Sequence, residues 1–133
     1  MTKQGQCTRF LLLCALLLQA IGAHANTCIA AKRTSVSAVC GRVINSGNEM
    51  VQGVTLTLTS DADNATLTII SDDLGNFSFH SVAKEDYTLR AVSSGYSTAV
   101  RQLRVSRNTQ TTCPRKIVVS LGLGSCTSSI SFK

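Results

Sequence analysis

Residues 71 to 96 decide the fold. They read Ser71-Asp72-Asp73-Leu74-Gly75-Asn76-Phe77-Ser78-Phe79-His80, then Glu85-Asp86-Tyr87-Thr88-Leu89-Arg90-Ala91-Val92, then Ser94-Gly95-Tyr96. The first run is a tight turn leading into a short aromatic strand, with Phe77 and Phe79 on one face and His80 on the other. The second alternates apolar and polar residues, placing Tyr87, Leu89 and Ala91 together, and the third is a Gly-aromatic turn. A period of two, not 3.6, marks half-buried strand. The same period runs outward in both directions. Val39, Gly41 and Val43 share a face, and the turn cluster Asn45-Ser46-Gly47-Asn48 follows. Val54, Leu56 and Leu58 alternate with Thr55, Thr57 and Thr59, and Thr66 to Ile69 alternate again after Asp61-Ala62-Asp63-Asn64. Leu103 with Val105 and Ile117 with Val119 and Leu121 complete the series, with a bend at Asn108 between them. About seven short strands separated by regular turn signals predict an all-β sandwich. Ile130 and Phe132 predict one further short strand, and Pro114 predicts that the strand after it starts at a sheet edge.

The order Gly41-x-Val43, Gly47, Gly53-Val54-x-Leu56, Asp73-x-Gly75-x-Phe77-x-Phe79, Tyr87-x-Leu89-x-Ala91, Gly95-Tyr96 resembles the carboxypeptidase regulatory-like domain. The likeness covers about residues 38–122. It implies a seven-stranded Greek-key sandwich of transthyretin-like (prealbumin-like) type, within a group of carbohydrate-binding-like folds. The chain departs from the family at Lys84-Glu85-Asp86, where a Pro-Gly or similar turn usually precedes the tyrosine. The departure puts the loop at that end in question, not the strand order. Some transthyretin-like proteins are hydrolases with a histidine-arginine site and a terminal Tyr-Arg-Gly-Ser. This chain ends Ile130-Ser131-Phe132-Lys133, which opposes that reading.

The N-terminus has the pattern of a secretory signal. Lys3 and Arg9 precede an apolar run from Phe10 to Ile21, and Ala23-His24-Ala25 offers small residues at both positions of a cleavage site. The run falls short of the ~20 residues that a membrane-spanning helix needs, and no other run is long enough. The expectation is a signal peptide over 1–25 and one domain over 26–133, in a secreted or periplasmic chain. Removing Lys3 and Arg9 lowers the formal charge from +6 to +4.

Cleavage leaves Cys28, Cys40, Cys113 and Cys126, an even number in an exported chain, which implies two disulfides. Of the three connectivities, the one closing two short loops, Cys28–Cys40 and Cys113–Cys126, is slightly favoured. The part left after cleavage has no C-x-x-C pair and one histidine, His80, so a metal site is not expected.

No group of residues reads as a catalytic centre. His80 lacks a partner acid and nucleophile, and the oxygen-rich stretches Asp61-Asp63-Asn64 and Asp72-Asp73-Asn76 suit turn capping better than calcium. Asn64-Ala65-Thr66 and Asn76-Phe77-Ser78 match glycosylation acceptors. Arg101, Arg104, Arg107, Arg115 and Lys116 crowd one part of the sequence, where they either form an anion-binding patch or guard a strand edge. No aromatics interleave with them, so nucleic acid is not an expected partner. The threonines of residues 55–59 and 66–68 should form one flat face, and Tyr96 is the ring to watch for a sugar platform. The resulting expectation is a secreted, non-enzymatic β-sandwich module without cofactor that binds or scaffolds a protein or polysaccharide, with carbohydrate binding as the alternative.

Overall fold

The structure is a computed structural model that describes residues 32–107 and 112–133. The expected signal segment 1–25, Cys28 and the bend at Asn108 lie outside the described residues. Among those described there is no helix, so none is long and apolar enough to cross a membrane. The chain forms β1 (Thr34–Val36), β2 (Cys40–Asn45), β3 (Thr55–Ser60), β4 (Thr66–Ile70), β5 (Asn76–Ser78), β6 (Asp86–Val92), β7 (Ala99–Val105), β8 (Ile117–Leu121) and β9 (Ser129–Phe132). One sheet has the order β1-β7-β6-β3-β4 and the other β5-β2-β8-β9. Both are mixed. β1 runs parallel to β7 and β2 parallel to β8, while the remaining pairs are antiparallel.

Alternation builds the core. Leu56 and Leu58 on β3 lie opposite Ala91 and Leu89 on β6, and all four are fully buried. Val43, Leu103, Ile117, Val119 and Leu121 close the interior from the other strands. Phe77 and Phe79 point inward as the sequence predicts and meet edge to face, with ring centroids 6.5 Å apart. Truncating a fully buried leucine such as Leu58 or Leu89 to alanine costs about 2–5 kcal/mol. β4 is the exception. It is a sheet edge, and Leu67 keeps 44% and Ile70 65% of its surface exposed.

The parallel pairing of β2 with β8 depends on Gly41. A Cβ at that position would lie 1.7 Å from the Ile117 carbonyl oxygen, so no other residue fits while the two backbones keep this approach.

Two sequence expectations about edges are corrected. The strand after Pro114 is β8, which is interior, between β2 and β9. Pro114 lies in the approach to it, where no ladder hydrogen bond is required. Arg101 and Arg104 do not guard an edge, because β1 pairs along β7 and takes the edge position itself. β1 is the strand that the alternation of the sequence did not indicate: three residues are too few to show a period.

The local disulfide pairing is also corrected. Cys40 bonds to Cys113, 73 residues away. The cause is the β2–β8 pairing, which sets Gly41 beside Ile117 and so draws the segment before β8 to the start of β2. Cys126 is disulfide-bonded as well.

Candidate functional site

β3 ends at Ser60, β6 begins at Asp86 and β7 ends at Val105. These three ends meet around an open groove of about 620 Å³. Its walls are Asp61 and Ala62 after β3, Lys84 to Asp86 before and at β6, and Arg104 to Ser106 at the end of β7. Backbone bonds fix the rim. The Asp61 N–H donates to the Asp86 carbonyl at 2.9 Å, and the Val105 N–H donates to the Glu85 carbonyl at 2.9 Å. The Ser60 hydroxyl donates to Glu85 Oε2 at 2.8 Å and accepts from the Ala62 N–H at 3.2 Å. Tyr87, buried just inside, donates its hydroxyl to the Ala83 carbonyl at 3.0 Å and so anchors the incoming loop. Burial pushes that hydroxyl above its ordinary pKa.

The charges around the groove are paired in a chain. Arg104 grips Asp86 through two bonds, Nε to Oδ1 at 2.8 Å and a terminal nitrogen to Oδ2 at 3.1 Å. Arg33 bridges Asp86 and Asp61, meeting Asp61 at 2.9 Å. Thr88 donates its hydroxyl to Asp61 Oδ1 at 3.1 Å. The Arg104 hydrogen bond holds the Asp86 carboxyl below the usual carboxylate range, and Asp86 raises the Arg104 guanidinium in turn. A carboxylate held ionised in this way is a poor general acid. It is well suited to fixing a pattern of charge for recognition.

The sequence candidates are scattered. His80 is exposed on the strand side away from the aromatics. The oxygen-rich turns bond their own backbone: Asp63 Oδ1 accepts from the Ala65 N–H, and Asp72 Oδ1 accepts from Leu74 and Asn76. The Ala65 bond also lowers the Asp63 pKa. Among the described residues no three acids, histidines or cysteines gather as a metal site would require. Tyr96 is half-buried and packs against the core, so it offers no open platform. The five threonines do share a face. Thr57 stands opposite Thr68 with hydroxyls 3.5 Å apart, and Thr59 stands opposite Thr66. The basic run divides, with Arg104 at the groove and Arg101 and Arg115 against Phe132 elsewhere. The groove itself was not read from the sequence. Its one signal was the departure at Lys84-Glu85-Asp86 from the expected glycine turn.

The carboxypeptidase regulatory-like domain model matches residues 38–118. The chain belongs to that family. No curated protein matches it. Among solved structures, it is similar to 3-chlorocatechol 1,2-dioxygenase from Rhodococcus opacus 1CP, at 10% identity and a TM-score of 0.40, covering 77% of this chain and 65% of that one. It is also similar to a C-terminal fragment of the pilus adhesin SpaC from Lactobacillus rhamnosus GG, at 15% identity and a TM-score of 0.37, covering 69% of this chain and 45% of that one. The chain thus spans less than two thirds of either neighbour. At these scores neither carries an argument about activity. Within this carboxypeptidase regulatory-like domain, Lys84, Glu85 and Asp86 form one wall of the groove.

Proposed function

We propose that this domain is a secreted or periplasmic, non-enzymatic binding module, a transthyretin-like Greek-key sandwich that scaffolds a protein or polysaccharide partner outside the cytoplasm. The carrying observation is the groove. Its walls hold fixed charges of both signs, Asp61 and Asp86 with Arg104, tied together from outside the wall by Arg33, and its lining includes no histidine or cysteine to serve as base or nucleophile. Paired charges on strand ends suit recognition of a polar partner segment. The signal-like sequence over 1–25 and the disulfides support export, with Cys28 the proposed partner of Cys126. Secreted material should begin at Asn26, and N-terminal sequencing that finds Met1 would remove that part of the reading.

Photo-crosslinking from position 62, in the groove wall, tests the partner. The expected result is a discrete protein adduct that is absent when the probe sits at position 57. Turnover of a peptide, ester or glycoside substrate that is lost in Glu85→Gln, with the fold intact, would overturn the non-enzymatic reading. Carbohydrate binding is the second reading, favoured by the flat hydroxyl face of Thr57, Thr59, Thr66 and Thr68. A glycan array separates the two: neutral-sugar binding abolished by Thr57→Val with Thr68→Val would promote it.

A further inference from the structure

Every acidic side chain in the chain precedes Tyr87, and the remaining stretch to Lys133 carries seven arginines and lysines. That stretch supplies β7, β8 and β9. Where β7 of one sheet meets β9 of the other, two of these cations converge on one ring: the Arg101 and Arg115 guanidinium carbons lie 5.4 and 5.3 Å from the centre of Phe132. Arg101 is positioned from β1 as well, donating to the Thr34 hydroxyl at 2.8 Å, and its Nε is buried without a hydrogen-bond partner. Next to Arg115 in sequence, Lys116 exchanges both backbone hydrogen bonds with Lys133, each at 2.9 Å, so the two lysines stand opposite one another just beyond β8 and β9, on the outer face, since Ile117 and Phe132 beside them face inward. Like charges in that relation are destabilising. The ion pairs of Arg33 and Arg104 use Asp61 and Asp86 at the groove and bring no acid to this seam.

We propose that this seam binds an acidic polysaccharide, its carboxylate or sulfate groups seated on Arg101 and Arg115, with the polymer continuing over the β9 edge to Lys116 and Lys133 on the outer face. The chemistry fits in three ways. The exposed Arg115 fork matches a planar or tetrahedral oxyanion through two hydrogen bonds, and Arg101 adds its charge and its remaining terminal nitrogen. Stacking on Phe132 holds the forks in place before binding, which reduces the ordering cost. A polymer with repeating charge that bends over the β9 edge meets the cations of both faces, as a single small anion does not. Nucleic acid fits less well, because Phe132 is half-buried beneath the guanidiniums and cannot stack a base. The inference is independent of the groove.

The test is titration of the purified protein with three polymers at low salt: a sulfated glycosaminoglycan, a polyuronate and neutral dextran. Binding to one or both acidic polymers and not to dextran is expected, and the preferred polymer identifies sulfate or carboxylate as the ligand group. Binding should weaken as salt is raised. Arg115→Gln, an exposed change that leaves the fold intact, should weaken it about tenfold. Arg101→Gln combined with Arg115→Gln should abolish it. Arg90→Gln, which removes one charge from the outer face of β6, should stay within about twofold. Equal losses in Arg90→Gln and Arg115→Gln would reduce the effect to net charge and overturn the proposal. So would failure to bind either acidic polymer at low salt, or equally tight binding of duplex DNA.

Discussion

At one end of β3 the chain closes on itself, and at the other it is held from a distance. The Asp72–Asn76 turn accepts three of its hydrogen bonds on one residue: Asp72 Oδ1 takes the N–H groups of Leu74 and Asn76, and the Asp72 carbonyl takes that of Gly75. Gly75 sits at φ 73° and passes 2.7 Å, measured from where a Cβ would be, from the Val43 carbonyl oxygen. At the opposite end, the approach to β6 is fixed by Ser60, Arg33 and Arg104 from three other segments, and in the facing sheet the start of β2 is tied through Cys40 to Cys113. The difference separates what each end can do. A turn that satisfies its own groups leaves nothing for a ligand, whereas an end built from side chains of several strands exposes them in a groove.

The comparison can be broken most forcefully at the covalent tie. Replacing Cys40 and Cys113 with serine together should cost about 4 kcal/mol, by the loop-length relation for a bridge of this span. Urea melts would show it, and a loss no larger than that of a surface change would mean that noncovalent contacts already hold the groove end. Next comes the self-closing turn. Gly75→Val forces a β-branched residue into left-handed backbone against Val43, at a cost of about 3 kcal/mol. Thermal unfolding that leaves Gly75→Val equal to wild type would show that the turn relaxes freely.

The third effect is smaller and depends on pH. Asp86 has a folded pKa below its ordinary 3.8, chiefly through the Arg104 hydrogen bond. Its contribution is therefore present above that ordinary value and is lost as pH falls through the lower folded value. Wild type should lose more melting temperature on acidification through that window than Asp86→Asn does, and added salt should shrink the gap. Parallel acid profiles for the two proteins would remove Asp86 from the account. Smallest is Thr57→Ala on the hydroxyl face, which should stay within about ±0.5 kcal/mol by the same melts. A shift as large as that of Gly75→Val would mean that the threonine face is packed against something.

The same contrast explains what could be read from the sequence. The strands and the Asp72–Asn76 turn were legible because period-two alternation and turn chemistry are local signals, seen in Leu56-Thr57-Leu58 and in Asp73-Leu74-Gly75. The Cys40–Cys113 bridge was not, since it follows from a parallel pairing of strands more than seventy residues apart. No local pattern encodes a parallel partner. The groove was legible only as an anomaly, Lys84-Glu85-Asp86 in place of a glycine turn. Arg33, Asp61 and Arg104, which complete its chain of charges, come from three other segments, and strand pairing brings them together.

The two parallel pairings also set an order in time. β2 is made early, but its neighbour β8 emerges about seventy residues later, and β1 likewise waits for β7. Until then both early strands carry unsatisfied edges, and neither sheet can be completed from the N-terminal half. A chain of such non-local pairings folds on the millisecond-to-second scale, not in microseconds. The domain is thus built to remain unfinished during synthesis and to close only when its last third arrives.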